Sequence, residues 1–329
     1  MTMSSIPPRP VTGLIYLPRL LTDRAMAHLH SLGAPLRIGS EEPPDRTELE
    51  AGIAGASAAV ITLTERVDAD LLAAAGPQLK VIANVAVGFD NIDMSAADAA
   101  GVIVTNTPGV LDRASADHTF ALILDAARRI TEGDRLIRER QPWVWGPRML
   151  VGLDISAGAT LGILGYGRIG QAVARRARAF DMRVIASARS RTPGSVESGV
   201  TFVDTATLLA DSDVVTVHTP LTAETRHLID AAALRLMKPT AYLINTARGG
   251  VVDENALIAA LHSGEIRGAA LDVFEGEPNV NPALLDAPGL VLTPHTASAG
   301  EATRDTMGIL AVDNAAAVLA GGPPLTPVR

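Results

Sequence analysis

Short apolar runs alternate along this chain with longer stretches whose apolar residues recur at helical spacing. Thr12-Gly-Leu-Ile-Tyr-Leu17, Ala58 to Thr62, Lys80 to Ala83 and Val102 to Thr105 predict strands. Thr22 is placed to cap a helix running to Leu32, with Gly33 ending it. Strands alternating with helices predict a parallel sheet, hence a first α/β domain of about 100 residues. Asn106-Thr-Pro-Gly109 interrupts the pattern, and one long helix is predicted from Asp112 to Arg140. Phe120, Leu122, Ile123 and Leu124 make its middle apolar enough to be buried between domains. Trp143 and Trp145 follow in a proline-flanked, irregular segment, where an isolated tryptophan is most often a core or interface residue. Residues 1–10 are proline-rich and predict a loose tail.

The second half repeats the alternation. Strands are predicted at Ala159 to Leu164, Met182 to Ser190, Asp213 to His218, Ala241 to Asn245, Gly268 to Asp272 and Leu290 to Thr293. A last helix, Glu301 to Leu319, precedes a Gly/Pro-rich end. Between the first of these strands and a helix over Gln171 to Phe180 stands Gly165-Tyr-Gly-Arg-Ile-Gly170. Gly165 suits the tight turn, Gly167 lets backbone approach a pyrophosphate, and Gly170 lets helix and strand pack closely. The helix N-terminus then faces phosphate charge. A glycine pattern alone is often only a turn; framed by strand and helix it predicts a dinucleotide site, with Arg168 and Ile169 inside the turn.

At the end of the next strand, where an acid usually holds the ribose 2′-hydroxyl, this chain has Ala188 followed by Arg189, Ser190 and Arg191. Arginine pairs bidentately with phosphate, so the pattern favours NADP(H), with NAD(H) possible. The bland alternative is a solvated arginine pair.

Composition narrows the field. The chain has 329 residues, a length that suggests two domains, with 28 Lys+Arg against 36 Asp+Glu, a net charge of −8. With no basic cluster, nucleic acid is not expected as a partner. Cysteine is absent, which excludes disulfides and thiolate chemistry and fits a cytoplasmic setting. Neither a signal peptide nor a membrane span is expected, and no His/Asp/Glu cluster has metal-ligand spacing, so no metal is expected.

Several predicted strands end in polar groups: His218-Thr-Pro220, Asn245-Thr-Ala-Arg248, Asp272 and Pro294-His295. Ligands gather at such ends in parallel sheets. Arg248 could grip a carboxylate, His295 could act as general acid on a carbonyl oxygen, and an acid bonded to the imidazole would orient it. Glu275 and Glu277 compete for that role, and spacing does not choose. Any one of these residues alone is more often simply solvated. Asp272 could equally cap a helix. The remaining histidines, His28, His30, His118, His227 and His262, read as surface or packed. The loop Asn84 to Asp93 follows a strand and is either a ligand loop or a plain turn.

Six stretches in order, Asn84–Asp93, Val104–Val110, Thr160–Gln171, Leu243–Asp253, Ala270–Pro278 and Leu292–Ala299, resemble the D-isomer-specific 2-hydroxyacid dehydrogenases. The likeness is greatest to their glyoxylate/hydroxypyruvate reductase branch, and it runs from about residue 11 to 320. It implies two Rossmann-like or flavodoxin-like parallel-sheet domains with a cleft between them. The substrate domain would be discontinuous, residues 1–107 and 299–329, around a dinucleotide domain of residues 108–298. The residue pattern alone would have started the second domain near the glycine turn. The resemblance makes Arg248 the carboxylate binder, His295 the acid/base and Glu277 its partner. Asp272 would hold the nicotinamide carboxamide, and backbone amides of Val87 and Gly88 the substrate carboxylate. Ser298 would lie near the substrate, and Trp145 would reach a partner subunit, implying a homodimer. Thr119, His218, Thr219, Pro220, Thr225, Thr246 and Ala247 match cofactor-lining positions.

The implied activity is NAD(P)H-dependent reduction of a small 2-oxoacid, glyoxylate or hydroxypyruvate, to the D-2-hydroxyacid. Ala86, where similar reductases have serine, and Thr296-Ala297, where Ile-Gly is common, bear on the substrate and not on the family. The alternatives are a dehydrogenase for another D-2-hydroxyacid or phosphite, and a nicotinamide-sensing protein like the family's transcriptional corepressors.

Overall fold

The computed structural model describes residues 11–328. The proline-rich tail expected at residues 1–10 lies outside them. The chain divides into two compact units, Met1–Leu111 with Ala299–Arg329, and Asp112–Ser298.

The first unit runs β1 (Ile15–Arg19), α1 (Asp23–Ser31), β2 (Leu36–Ser40), α2 (Arg46–Ile53), β3 (Ala58–Ile61), α3 (Ala69–Ala75), β4 (Val81–Asn84), α4 (Met94–Ala99) and β5 (Ile103–Thr105). Its sheet order is β2-β1-β3-β4-β5, parallel throughout. The fully buried β3 and β4 read as continuous apolar runs, as a sheet covered on both faces requires. β2, a half-exposed edge strand, gave no apolar run to find. Asp45 caps α2 in a reciprocal box with Glu48. Thr22 does precede α1, but its hydroxyl makes no cap bond and is buried without a partner.

The second unit begins with α5 (Asp112–Arg128) and α6 (Ile130–Arg138), then β6 (Thr160–Leu164), α7 (Arg168–Ala179), β7 (Arg183–Ser187), β8 (Val196–Glu197), β9 (Val200–Phe202), α8 (Thr205–Asp211) and β10 (Val214–Val217). α9 (Ala231–Leu236), β11 (Tyr242–Asn245), α10 (Glu254–Ser263), β12 (Gly268–Leu271), α11 (Pro282–Leu285) and β13 (Leu290–Leu292) complete it. The sheet order is β13-β12-β11-β10-β6-β7-β9-β8, parallel except for the β8–β9 hairpin. One core lies under α5 and α7, around Phe120, Ile123, Val173 and Ala177. The other lies under α8, α9 and α10, around Leu208, Leu234 and Leu257. Both units thus show the α/β, doubly wound parallel architecture that the alternation predicts.

The single helix expected over Asp112 to Arg140 is two helices. Arg129 takes a left-handed conformation, φ 54°. Asp125 accepts from the Thr131 amide (2.7 Å) and hydroxyl (2.6 Å), and the Ala127 carbonyl is taken by the Leu153 amide at 2.8 Å. These bonds end one helix and start the next. The apolar middle of α5 packs inside its own unit's core. Among the described residues Trp143, Val144 and Trp145 join no core, and Trp145 is 77% exposed.

The chain then returns to the first unit in α12 (Glu301–Leu319), packed beside α1, β3 and β4. Fully buried Asn314 binds the Leu325 and Thr326 amides, each at 2.9 Å. The following backbone pairs with β5. Among the described residues no helix is long and apolar enough to cross a membrane.

Candidate active site

β6 lies between β7 and β10, where the connections leave in opposite directions. Crevices form at that point of such sheets. The glycine turn follows β6 directly. Gly165 has φ +95°, and a Cβ there would stand 2.6 Å from the His218 carbonyl oxygen. A Cβ on Gly170 would fall 2.3 Å from the Gly165 carbonyl oxygen, so helix and strand meet only because the side chain is missing. A Cβ on Gly167, the N-cap of α7, would meet nothing within 4 Å, leaving backbone open beside the free helical amides. Close packing on two sides and an open third fit a pyrophosphate. So does Thr219, whose hydroxyl is buried with no hydrogen-bond partner.

The other expected cofactor residues surround the same strand ends. Thr119 donates to the Ser115 carbonyl (2.7 Å), so its 2.8 Å bond to Thr246 is donated by Thr246. The Thr225 hydroxyl donates to the Pro220 carbonyl at 2.6 Å and shapes the loop after β10. His218 lies 3.0 Å from the Thr216 hydroxyl, and burial pulls its pKa down to about 4. Beyond β7 the three expected 2′-phosphate residues part company. Arg191 binds Glu197 at 2.7 Å and sits over the Phe202 ring, both from the hairpin the sequence did not reveal. The Arg189 side chain, exposed, makes no hydrogen bond or ion pair among the described residues, and Ser190 is exposed beside it.

Asn245 closes β11 and builds the next turn. Its side chain donates to the Arg248 carbonyl (2.9 Å) and accepts from the Ala247 amide (3.0 Å). Arg248 is thereby held extended and half-buried, one of its nitrogens donating to the Ala247 carbonyl at 2.8 Å. Gly249 packs on the segment after β12: a Cβ there would fall 1.9 Å from the Phe274 carbonyl carbon. That contact ties the arginine turn to the acid-bearing segment.

In that segment the two acids separate. Glu277 accepts from the Phe274 amide at 2.8 Å and from His295 Nδ1 at 2.6 Å. Glu275 instead meets His227 at 2.5 Å. With Nδ1–H given to a carboxylate, His295 Nε2 is the atom left to carry or release a proton. His295 has φ 54° and is held by Asp272, whose backbone carbonyl accepts its amide at 2.8 Å.

Asp272 is fully buried. Its carboxylate takes the Thr296 and Ala297 amides, each at 2.8 Å, and the Thr293 hydroxyl at 2.6 Å. Burial would push this carboxyl up; donors from His118, Thr293, Thr296 and Ala297 outweigh it and hold it below the usual carboxylate range. Most of these donors meet Oδ1 and shape the histidine turn, a role the sequence did not suggest, while Oδ2 takes the Ala297 amide. Ser298 ends this unit.

In the first unit, the loop after β4 has its carbonyls tied back. Those of Ala86, Val87 and Gly88 accept from the Thr107 amide (2.8 Å), the Asn106 side chain (2.7 Å) and the Asn84 side chain (2.9 Å). The amides of the same three residues donate to nothing among the described residues. Successive free amides of this kind suit an anion.

A doubly wound sheet with this glycine turn after β6, and with a carboxylate-bound histidine after β13 at the edge of the same sheet, fits a nicotinamide-dependent oxidoreductase. Comparison with known proteins narrows the class. The family described as D-isomer specific 2-hydroxyacid dehydrogenase, NAD binding domain, matches residues 120–297. A glyoxylate reductase of Thermococcus litoralis is 48% identical over 284 residues, 84% of this chain and 85% of that one. A crystal structure of a Thermus thermophilus protein superposes with a TM-score of 0.89 at 42% identity, covering 96% of this chain and 100% of that one. A Sinorhizobium meliloti NADPH-dependent glyoxylate/hydroxypyruvate reductase, solved with NADP and malonate, gives 0.83 at 35% identity over 98% and 97% of the two chains. The chain belongs to the D-isomer specific 2-hydroxyacid dehydrogenase family and is an NAD(P)-dependent oxidoreductase.

Proposed function

We propose that this protein reduces a short 2-oxoacid, glyoxylate or hydroxypyruvate, to the 2-hydroxyacid, of D configuration where the product is chiral, and prefers NADPH. The Glu277–His295 bond of 2.6 Å carries the proposal, because it leaves one imidazole nitrogen for proton transfer. The names of the relatives point to the same substrate class.

The cofactor, when bound, supplies hydride to the carbonyl carbon. His295, protonated at Nε2, gives that proton to the alkoxide oxygen. Glu277 fixes the imidazole tautomer and bears the opposite charge. Arg248 grips the substrate carboxylate and polarises the carbonyl, and the amides of Val87 and Gly88, in the other unit, are suited to a carboxylate. Ser298 borders the substrate. Gly165 to Gly170, Thr119, His218, Thr219, Pro220, Thr225, Thr246 and Ala247 line the dinucleotide. Arg189 and Ser190 meet a 2′-phosphate. The NADPH preference rests on Arg189, a cation just past the end of β7 that, among the described residues, is in no ion pair as close as that of Arg191, Glu224 acting on it only through its charge.

We also propose a homodimer. Ile130 and Ile137 of α6 are each 56% exposed, and Trp145 is 77% exposed a few residues on, an apolar stretch that a second copy would cover.

The test is loss of nicotinamide absorbance with NADPH and with NADH, against glyoxylate and hydroxypyruvate. Fast oxidation with NADPH preferred is expected. Tight cofactor binding without turnover of either oxoacid would overturn the substrate assignment.

A further inference from the structure

His118, on α5, has no part in the site as the sequence presents it. In the structure its Nε2 lies 3.1 Å from Thr293 Oγ1 and 3.3 Å from Asp272 Oδ1. Thr293 has one hydroxyl proton, and Asp272 takes it at 2.6 Å. The hydroxyl oxygen therefore accepts from His118, and Nε2 carries a hydrogen. Donors thus converge on one fully buried carboxylate: His118, the Thr293 hydroxyl, the amides of Thr296 and Ala297 and, at 3.3 Å, the Thr296 hydroxyl. Two of them belong to the backbone immediately after His295. That residue sits at φ 54°, a conformation disfavoured for any side chain with a Cβ. Such a turn persists only where its surroundings over-determine it.

We propose that His118 is a positioning residue. Its Nε2–H, shared between Thr293 and Asp272, fixes the carboxylate that holds the left-handed turn at His295, and so sets where His295 presents its own Nε2. The proposal rests on the assignment of His295 as the proton donor. Without the imidazole donor, Thr293 loses the partner that orients its hydroxyl. The buried carboxylate then has one donor fewer at Oδ1, where the Thr293 hydroxyl and the Thr296 amide remain, and the network relaxes at its least stable point, the turn.

Two pairs of variants test this. His118→Leu and Thr293→Val remove the donor or the relay; His118→Gln and Thr293→Ser keep a donor or hydroxyl in place. Amide hydrogen exchange at Thr296 and Ala297 is measured by NMR in the cofactor-free protein, and kcat, KM and Tm are measured alongside. In the first pair exchange at both amides should quicken about tenfold or more, and kcat should fall about tenfold, with KM for the oxoacid within about threefold of wild type. The second pair should recover most of both. Unchanged exchange in His118→Leu would overturn the proposal. So would faster exchange with an unchanged kcat, or a lowered Tm as the sole effect. A wild-type protein that reduces no oxoacid would count against the proposed function instead, and the exchange comparison would still decide whether His118 holds the turn.

Discussion

The Glu277 carboxylate accepts two hydrogen bonds from different directions, one from the Phe274 amide and one from His295 Nδ1. It needs an acceptor at each oxygen. Glutamine offers one acceptor and one NH2, so Glu277→Gln must set a donor against a donor at one of the two contacts. The imidazole then loses its fixed tautomer or the segment loses its curl. Glu277→Gln should lower kcat by about 10²-fold, the scale of general-acid catalysis. Cofactor affinity should stay near wild type. Steady-state kinetics beside direct titration of NADPH separates the two. A kcat within about twofold of wild type would show that the carboxylate is not needed.

Arg189 and Arg191, both candidates for a 2′-phosphate, differ in their surroundings. Arg191 is held by Glu197 and Phe202, whereas among the described residues Arg189 makes no hydrogen bond or close ion pair and only feels the charge of Glu224. Arg189→Ala should weaken NADPH binding about tenfold and leave NADH nearly unchanged; Arg191→Ala should do much less. Fluorescence titration of both cofactors decides it, and equal losses for NADPH and NADH in Arg189→Ala would refute a 2′-phosphate contact.

What could be read from the sequence follows from the range of the interactions concerned. The glycine turn was legible because its glycine spacing between strand and helix is local, as is the Gly170 contact with Gly165, even though Gly165 itself packs on the His218 backbone after β10. The strand ends were legible because fully buried parallel strands are apolar runs with abrupt polar ends. The choice between Glu275 and Glu277 was not legible from spacing, since both lie within reach of a histidine and only the Phe274 amide curls Glu277 toward His295. The break at Arg129 depends on Leu153 reaching back to Ala127, which no helical periodicity shows. His118 was passed over because Thr293, its partner, is 175 residues away.

Asn106 ties back the Val87 carbonyl at 2.7 Å, so its side chain helps present the neighbouring amides without donating to the substrate. Asn106→Ala removes one hydrogen bond of about 1 kcal/mol. If those amides hold the carboxylate, KM for the oxoacid should rise about fivefold while cofactor affinity is unaffected. An unchanged KM would mean that the loop keeps its shape without this bond or does not meet the substrate.

His218 makes acid stability a direct measure of its burial. Its imidazole stays neutral in the folded protein down to about pH 4, against 6.5 for the ordinary side chain. Between those values the unfolded chain takes up a proton that the folded chain refuses, so the folded state loses stability as pH falls from 6.5 toward 4. The full loss is at most about 3.5 kcal/mol, from about 1.4 kcal/mol for each pH unit separating the two values. His218→Asn, which cannot take up that proton, should show a flatter fall in Tm over the same window in the cofactor-free protein. Other carboxylates held below their usual range, Asp272 among them, lose their contribution at still lower pH and leave the difference between the two proteins intact. Parallel Tm curves for wild type and His218→Asn from pH 6.5 to 4 would show that His218 is solvated enough to titrate normally.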